Sequence, residues 1–355
     1  MLFFNPLAEK LKMYYVTGGM PEVVSRWEET QSVGQVQQVL MDIIQAYERD
    51  FMKHPAPREY PKIGRVWNSL PSQLARENKK FLYNVIKEGA RAREYEDALE
   101  WLVHAALVYK VFRITSPGLP LSAYEDLSAF KIYLTDVGVL RRLSKLDPVA
   151  FREGNRLFTE FKGALTENFI LQSLVPQFDA MPHYWSRINP PYEMDFIIQR
   201  KNDIIPVEVK ADTNIKSRSL KKYAETFEQE TKLRVRFSMN NLRMDEGVLN
   251  IPLFMADQAD RLIGIALGET HESKRAERVG KTLIQSQSSI WHKNTCASRT
   301  LRLDPCFPQG GNRPHGGPSF KLYSSRGCLW ASPFFHTILS EFPLTGRAPY
   351  APLCI

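Results

Sequence analysis

Apolar residues recur along this chain with two different periods, helical through the first hundred residues and strand-like after that. Val36, Val39, Leu40, Ile43, Ile44 and Tyr47 fall on one helical stripe that closes near Asp50–Lys53. Ahead of it, Leu7-Ala-Glu-Lys-Leu11 leads into Tyr15-Val-Thr-Gly-Gly-Met-Pro-Glu-Val-Val24, where the glycine pair ends one helix and Pro21 opens the next. The Gly-Gly-x-Pro stretch lacks the Gly-x-x-x-x-Gly-Lys-Ser/Thr spacing of a phosphate loop, so it reads as a helix–helix turn. Pro55-Ala-Pro57 is a break. Pro61 then opens a helix through Ile63, Val66, Trp67 and Leu70, and Asn78-Lys-Lys-Phe-Leu-Tyr83 begins a short one. The strongest helical pattern follows, on Tyr95, Ala98, Leu99, Leu102, Val103, Ala106 and Leu107. His104 within it reads as a packing or surface residue.

The period shortens at Tyr109-Lys-Val-Phe-Arg-Ile114, a strand, and again at Phe130-Lys-Ile-Tyr-Leu134, with Ser116-Pro-Gly-Leu-Pro120 as the loop between them. Helices followed by a two-stranded ribbon predict a winged-helix-like domain over residues 55–150. Such modules bind DNA through a helix in the major groove, and they also serve as protein-packing units. Asp136 is placed to cap a helix at Val137-Gly-Val-Leu-Arg-Arg142.

A second domain is expected over 155–258. Its centre is Tyr192–Lys210, two short apolar runs joined by Arg200-Lys-Asn-Asp203, which reads as a β-hairpin. Alternation puts Met194, Phe196 and Ile198 on one face of the first strand and Glu193, Asp195 and Ile197 on the other. On the second strand Ile205, Val207 and Val209 share a face, and Glu208 and Lys210 share the opposite one. Before the hairpin come a helix with Phe161, Leu165 and Phe169 as its apolar stripe and a strand at His183–Ser186. After it come a helix at Ser219–Phe227 and a strand at Leu233–Ser238. The order is αβββαβ, and the fold class is α/β, or α+β taken over the whole chain. The basic run Ser217-Arg-Ser-Leu-Lys-Lys222 is either a solvated helix start or a phosphate-backbone contact.

Chemistry enters through Asp195, Glu208 and Lys210. Carboxylates and an ammonium on an otherwise apolar hairpin are costly to desolvate without assigned partners. Two carboxylates with few nitrogen or sulfur ligands nearby suit a hard cation such as Mg²⁺, and a lysine can stabilise charge growing on a phosphate. An Asp followed one strand later by Glu-x-Lys resembles the core of the restriction-endonuclease-like nucleases, in which a further acidic residue comes from a preceding helix, and Glu167 holds that place. The resemblance implies Asp195, Glu208 and Lys210 as catalytic residues and Glu167, Asp195 and Glu208 as ligands of Mg²⁺. On this reading, losing a ligand carboxylate would also stabilise the metal-free fold by relieving repulsion. The alternative is that the same residues form an inert internal charge network, with Lys210 neutralising Glu208.

A longer resemblance covers residues 5–257. Tyr15–Val24, Phe130–Leu140, Lys162-Gly-Ala-Leu-Thr-Glu-Asn-Phe169, Tyr184-Trp-Ser186, Glu193-Met-Asp-Phe196 and Pro206-Val-Glu-Val-Lys-Ala211 resemble the C-terminal half of a family of prokaryotic AAA-type ATPases. In that family an ATPase domain precedes a winged helix and a C-terminal domain of unknown function with a restriction-endonuclease-like fold. Residues 1–54 would then be a helical remnant following a missing ATPase domain. No Walker A or Walker B pattern lies in the chain, so no ATP site and no ATPase activity are expected. The resemblance leaves two expectations: a nuclease-like module hydrolysing DNA with Mg²⁺, or an inert DNA- or protein-binding fragment.

Charge and composition add limits. The net charge is +8 over 355 residues, but residues 261–355 hold 12 Lys or Arg against 5 Asp or Glu, leaving 35 and 34 for the rest. The body is therefore nearly neutral, which weakens a charge-only argument for nucleic acid. All four cysteines, Cys296, Cys306, Cys328 and Cys354, lie in the same last segment and match no zinc spacing. That segment has no sustained period of 2 or 3.6 and is read as an unstructured tail, out-of-frame translation before a genuine basic disordered one. No apolar run reaches the ~20 residues of a membrane span and the N-terminus has no signal pattern, so no membrane partner and a cytoplasmic location are expected.

Overall fold

The computed structural model describes residues 4–269 apart from 54–57, 77–79, 152–158, 188, 190 and 212–217. The segment expected to be a tail lies outside them from residue 270 onward. Chain contacts gather the described residues up to Ile263 into one compact unit.

Six helices come first: α1 (Phe4–Thr17), α2 (Pro21–Thr30), α3 (Val33–Lys53), α4 (Tyr60–Leu74), α5 (Tyr83–Ile86) and α6 (Ala92–His104). The expected helix–helix turn is present. Gly18 takes φ +70°, a conformation open to glycine at little cost, and Pro21 is the first residue of α2. Pro61 stands likewise in the first turn of α4. His104, at the end of α6, is exposed.

Then follow β1 (Val108–Ile114), β2 (Glu125–Leu134), α7 (Val137–Leu143), α8 (Thr159–Leu174), β3 (His183–Arg187), β4 (Tyr192–Arg200), β5 (Asp203–Val209), α9 (Arg218–Thr226), β6 (Arg234–Ser238), β7 (Arg243–Asp245), β8 (Val248–Pro252) and α10 (Ala259–Ala266). Over Thr159–Ser238 the order is the expected αβββαβ. The pattern of the sequence had not marked β7, β8 or α10, and α10 runs across the boundary placed at 258–261.

One eight-stranded mixed sheet takes in all the strands among the described residues, in the order β2-β1-β3-β4-β5-β6-β8-β7. The ribbon of β1 and β2 is therefore no separate wing. β1 runs parallel to β3, with Arg113 opposite Tyr184 and Ile114 opposite Trp185, so the sheet passes straight through the expected boundary between the two domains. Between β1 and β2 the register jumps from Phe112↔Phe130 to Arg113↔Asp126, which throws Leu127, Ser128 and Ala129 out of the ladder and leaves Leu127 71% exposed.

The hairpin keeps its register from Phe196↔Val207 to Arg200↔Asp203. Simple alternation fails on the β3 side, where Trp185↔Met194 is followed by His183↔Ile197. Three steps along β4 oppose two along β3, a bulge that turns Met194 and Ile197 to the same side. Both join Ile114, Trp185, Ile204, Leu220 and Tyr223 in one core cluster beneath α9. Met194 therefore does not share its face with Phe196 and Ile198 in a plain alternation.

β5 is buried on both sides, and α8 is the other helix packed on it, so α8 and α9 cover opposite faces of the sheet. The expected stripe on α8 understates its burial. From Ala164 to Leu171 every residue is buried, because the helix lies between the sheet and the N-terminal helices; the rings of Tyr14 and Tyr15 each meet Phe169 edge-on at 5.5 Å.

Candidate functional site

A helix buried on all sides must satisfy its polar side chains inside the protein. Asn168 does so as a surrogate strand partner: its Oδ1 accepts from Leu134 N at 2.9 Å and its Nδ2 donates to Leu134 O at 3.0 Å. Glu167, one residue earlier, points toward β2 and accepts a hydrogen bond from the Tyr133 hydroxyl at 3.2 Å. Tyr133 and Lys131 stand two apart on β2 and share a face. Lys131 is fully buried, its ammonium in direct contact with the Glu193 carboxylate and 4.7 Å from the centre of the Tyr184 ring.

Electrostatics ties these groups together. Burial alone would push the Lys131 pKa down. The charges of Glu193, Glu167 and Asp195 more than offset it, so the ammonium is held above the ordinary lysine value. Burial, followed by the same three carboxylates led by Glu167, drives the Tyr133 phenol well above its usual range. Two of the three carboxylates expected to hold a metal, Glu167 and Asp195, thus act on a lysine ammonium. Neither Lys131 nor Glu193 stood out in the sequence; the available signal was a lysine flanked by Phe130 and Ile132 in an apolar strand.

Glu208 and Lys210 lie elsewhere. Glu208 is four residues beyond Ile204 on β5 and so points to the α9 side. Lys210 Nζ stands 3.2 Å from Glu208 Oε1, with the Glu208 side chain 4% exposed and that of Lys210 37%. Arg236 of β6 is the cross-strand neighbour of Glu208. Burial pushes the Arg236 pKa down and Glu208 works against that. The second carboxylate oxygen, Glu208 Oε2, is buried and accepts no hydrogen bond among the described residues.

Asp195 joins the two groups. The backbone ladder of β4 and β5 runs only as far as Phe196↔Val207, and beyond it the Asp195 carboxylate takes the place of a backbone acceptor, receiving Val209 N at Oδ2 at 2.7 Å. Its charge is felt by Lys131 and Tyr133 on one side, and its hydrogen bond fixes the peptide between Glu208 and Lys210 on the other. Of the four residues singled out in the sequence, Glu208 and Lys210 pair with each other, Asp195 lies at the same end of the hairpin and bonds Val209 N, and Glu167 is engaged by Tyr133 and by the charge of Lys131. Among the described residues no group of three or more His, Cys, Asp or Glu is arranged to hold a metal ion.

Two surfaces bear on partners. On α6, Glu94, Glu96 and Asp97 are exposed beside Arg91 and Arg93, and Glu100 pairs with Lys110 at 2.5 Å. On α9, over the Glu208 side of the sheet, Arg218 and Lys221 are exposed. Among the described residues no helix is long and apolar enough to cross a membrane.

Residues 8–150 match a family model described as Domain of unknown function (DUF8612), and residues 162–254 match one described as Domain of unknown function (DUF4143). Comparison with curated proteins and with solved structures gives no match.

Proposed function

We propose that Asp195, Glu208 and Lys210 form a restriction-endonuclease-like site for phosphodiester hydrolysis of DNA with a divalent cation, in a module that accompanies an AAA-type ATPase. The second matched segment supports the ATPase association, since its domain is one found C-terminal in such proteins. The observation that carries the reading is the Glu208 carboxylate: one oxygen meets Lys210, and the other is buried with no hydrogen-bond donor among the described residues. A buried, unsatisfied carboxylate oxygen is costly, and a hard cation is one way to satisfy it.

Glu208 and Asp195 would hold the ion, which when bound supplies Lewis-acid charge and lowers the pKa of a coordinated water. Glu167, already bonded to Tyr133, is not assigned as a ligand. Asp195 keeps its place through Val209 N. Lys210, more than one third exposed, is free to swing its ammonium from Glu208 toward a phosphate oxygen and offset charge there. Arg218 and Lys221 supply backbone-phosphate contacts on the same side of the sheet.

The test is calorimetric titration of the full chain with Mg²⁺ and with Mn²⁺, followed by cleavage of single-stranded, duplex and branched DNA. Binding that disappears in Glu208→Gln, together with metal-dependent cleavage, is expected. Absence of both with either ion would end the proposal.

One observation favours a second reading, in which the module is inert and serves only to bind. Glu193 has Lys131 as its direct counter-charge and Glu167 and Asp195 share in it, so part of the acidic charge here is offset without a metal.

A further inference from the structure

Lys131 lies outside the Asp195–Glu208–Lys210 arrangement, on a strand of the first matched segment, and the proposed chemistry makes no use of it. A fully buried lysine is rare, because its ammonium must find partners for three N–H groups without water. Here the partners are built in. Glu193 touches it directly, the Tyr184 ring lies beneath it at 4.7 Å, and the charge of Glu167, which accepts a hydrogen bond from Tyr133 on the same face of β2, also acts on it. Carboxylates from a helix and a neighbouring strand thus act on one buried ammonium, and the same charges would attract a hard divalent cation in its absence.

We propose that Lys131 is a resident cation: it occupies the place between Glu167 and Glu193 that a divalent ion would otherwise take, and so keeps this half of the acidic face closed to metal. Three consequences follow. Part of the negative charge of the face is offset without dependence on ion supply. Any metal the protein does bind is confined to the Asp195–Glu208 side. And β2, which lies within residues 8–150, contributes a charge to the acidic face of the segment 162–254, so neither matched segment holds the complete charge cluster.

The experiment replaces Lys131 by methionine, similar in length and without charge, in the full chain, and counts bound Mn²⁺ by electron paramagnetic resonance. Lys131→Met is expected to gain one Mn²⁺ per chain at an affinity at least tenfold above its parent, and its melting temperature should rise with Mn²⁺. Lys131→Arg, which keeps the charge, should gain none. The same pair made in a Glu208→Gln background separates this proposal from the cleavage site: there the parent binds no ion at Glu208, and the gain on adding Lys131→Met should persist.

If Lys131→Met is unfolded without metal, refolding by Mn²⁺ read by circular dichroism is the expected result. Independently of any variant's stability, nitrogen-15 lysine spectra of the unaltered chain should show a slowly exchanging NH₃⁺ group at neutral pH that is missing in Lys131→Arg. Folded Lys131→Met with no extra Mn²⁺ in either background, or an equal gain in Lys131→Arg, would overturn the proposal. So would the lack of a protected ammonium signal.

Discussion

Gly18 packs so closely against Asp136 that a Cβ on it would stand 2.2 Å from Asp136 Oδ1. The neighbouring Gly19 N donates to Oδ2 of the same carboxylate at 2.7 Å, while Oδ1 accepts from Val139 N at 2.9 Å and caps α7. One buried carboxylate thus joins the α1–α2 turn to the start of α7. Burial raises the Asp136 pKa, and its hydrogen bonds from Gly19, Val139 and Gln172 oppose the rise. Gly18→Ala meets both the carboxylate and an unfavourable φ of +70°, so a loss of about 2–4 kcal/mol in urea unfolding is expected. Gly64→Ala is the control. It lies inside α4 with nothing within 4 Å of an added Cβ, and should stabilise by about 0.5–1 kcal/mol. Equal effects of the two substitutions would show that the Gly18–Asp136 packing is misassigned.

Lys210→Ala tests the proposed site with little risk to the fold. Lys210 is more than a third exposed and Arg236 stays beside Glu208, so its removal should cost no more than about 1 kcal/mol. Any metal-dependent cleavage should be abolished while metal affinity is retained. A loss of 3 kcal/mol or more would mean that the lysine serves mainly as an internal counter-ion, as the inert reading expects.

Glu208→Gln should not stabilise the metal-free protein, although relief of carboxylate repulsion was the expectation from the sequence. Glu208 stands between two cations, Lys210 and Arg236, and its loss leaves the buried guanidinium with a weaker counter-charge. Thermal or urea unfolding without metal should show a loss of about 1–3 kcal/mol. Asp195→Asn keeps an oxygen to accept Val209 N and should cost less. A stabilised Glu208→Gln would indicate that carboxylate repulsion outweighs both ion pairs.

Asp126 gives the pH dependence. Hydrogen bonds from the Ser128 hydroxyl and from Arg113 lower its pKa from 3.8 to about 2. A carboxylate depressed in the folded state contributes stability above its unfolded pKa and loses it as pH falls through the folded value. The stability difference between the unaltered chain and Asp126→Asn should therefore be constant above about pH 5 and shrink toward zero near pH 2. The pair is partly exposed, so the difference is small and salt-sensitive. A difference that grows on acidification would have the wrong sign.

Local physics made much of this protein legible in one dimension. Pro21 and Pro61 start helices because a ring-locked φ and a missing N–H cost nothing in a first turn, and Asp136 caps α7 because its carboxylate reaches Val139 N within the same turn. The hairpin from Tyr192 to Val209 shows in its alternation and turn residues, and with it the pairing of Lys210 with Glu208 two residues away. Tertiary structure decided what those residues have for company. Whether β1 and β2 form a free wing or the end of a larger sheet depends on pairing with β3, and the sequence distance from Ile114 to Trp185 hides that contact. The bulge opposite Trp185 breaks the strict two-residue period and turns Met194 to the side of Ile197. Lys131 is the clearest case: in the sequence it is one lysine among many, and only the convergence of β2, α8 and β4 buries it against Glu193 with Glu167 and Asp195 nearby. A charge cluster assembled from three elements is a property of their packing, since desolvation and partners act through space while periodicity acts along the chain.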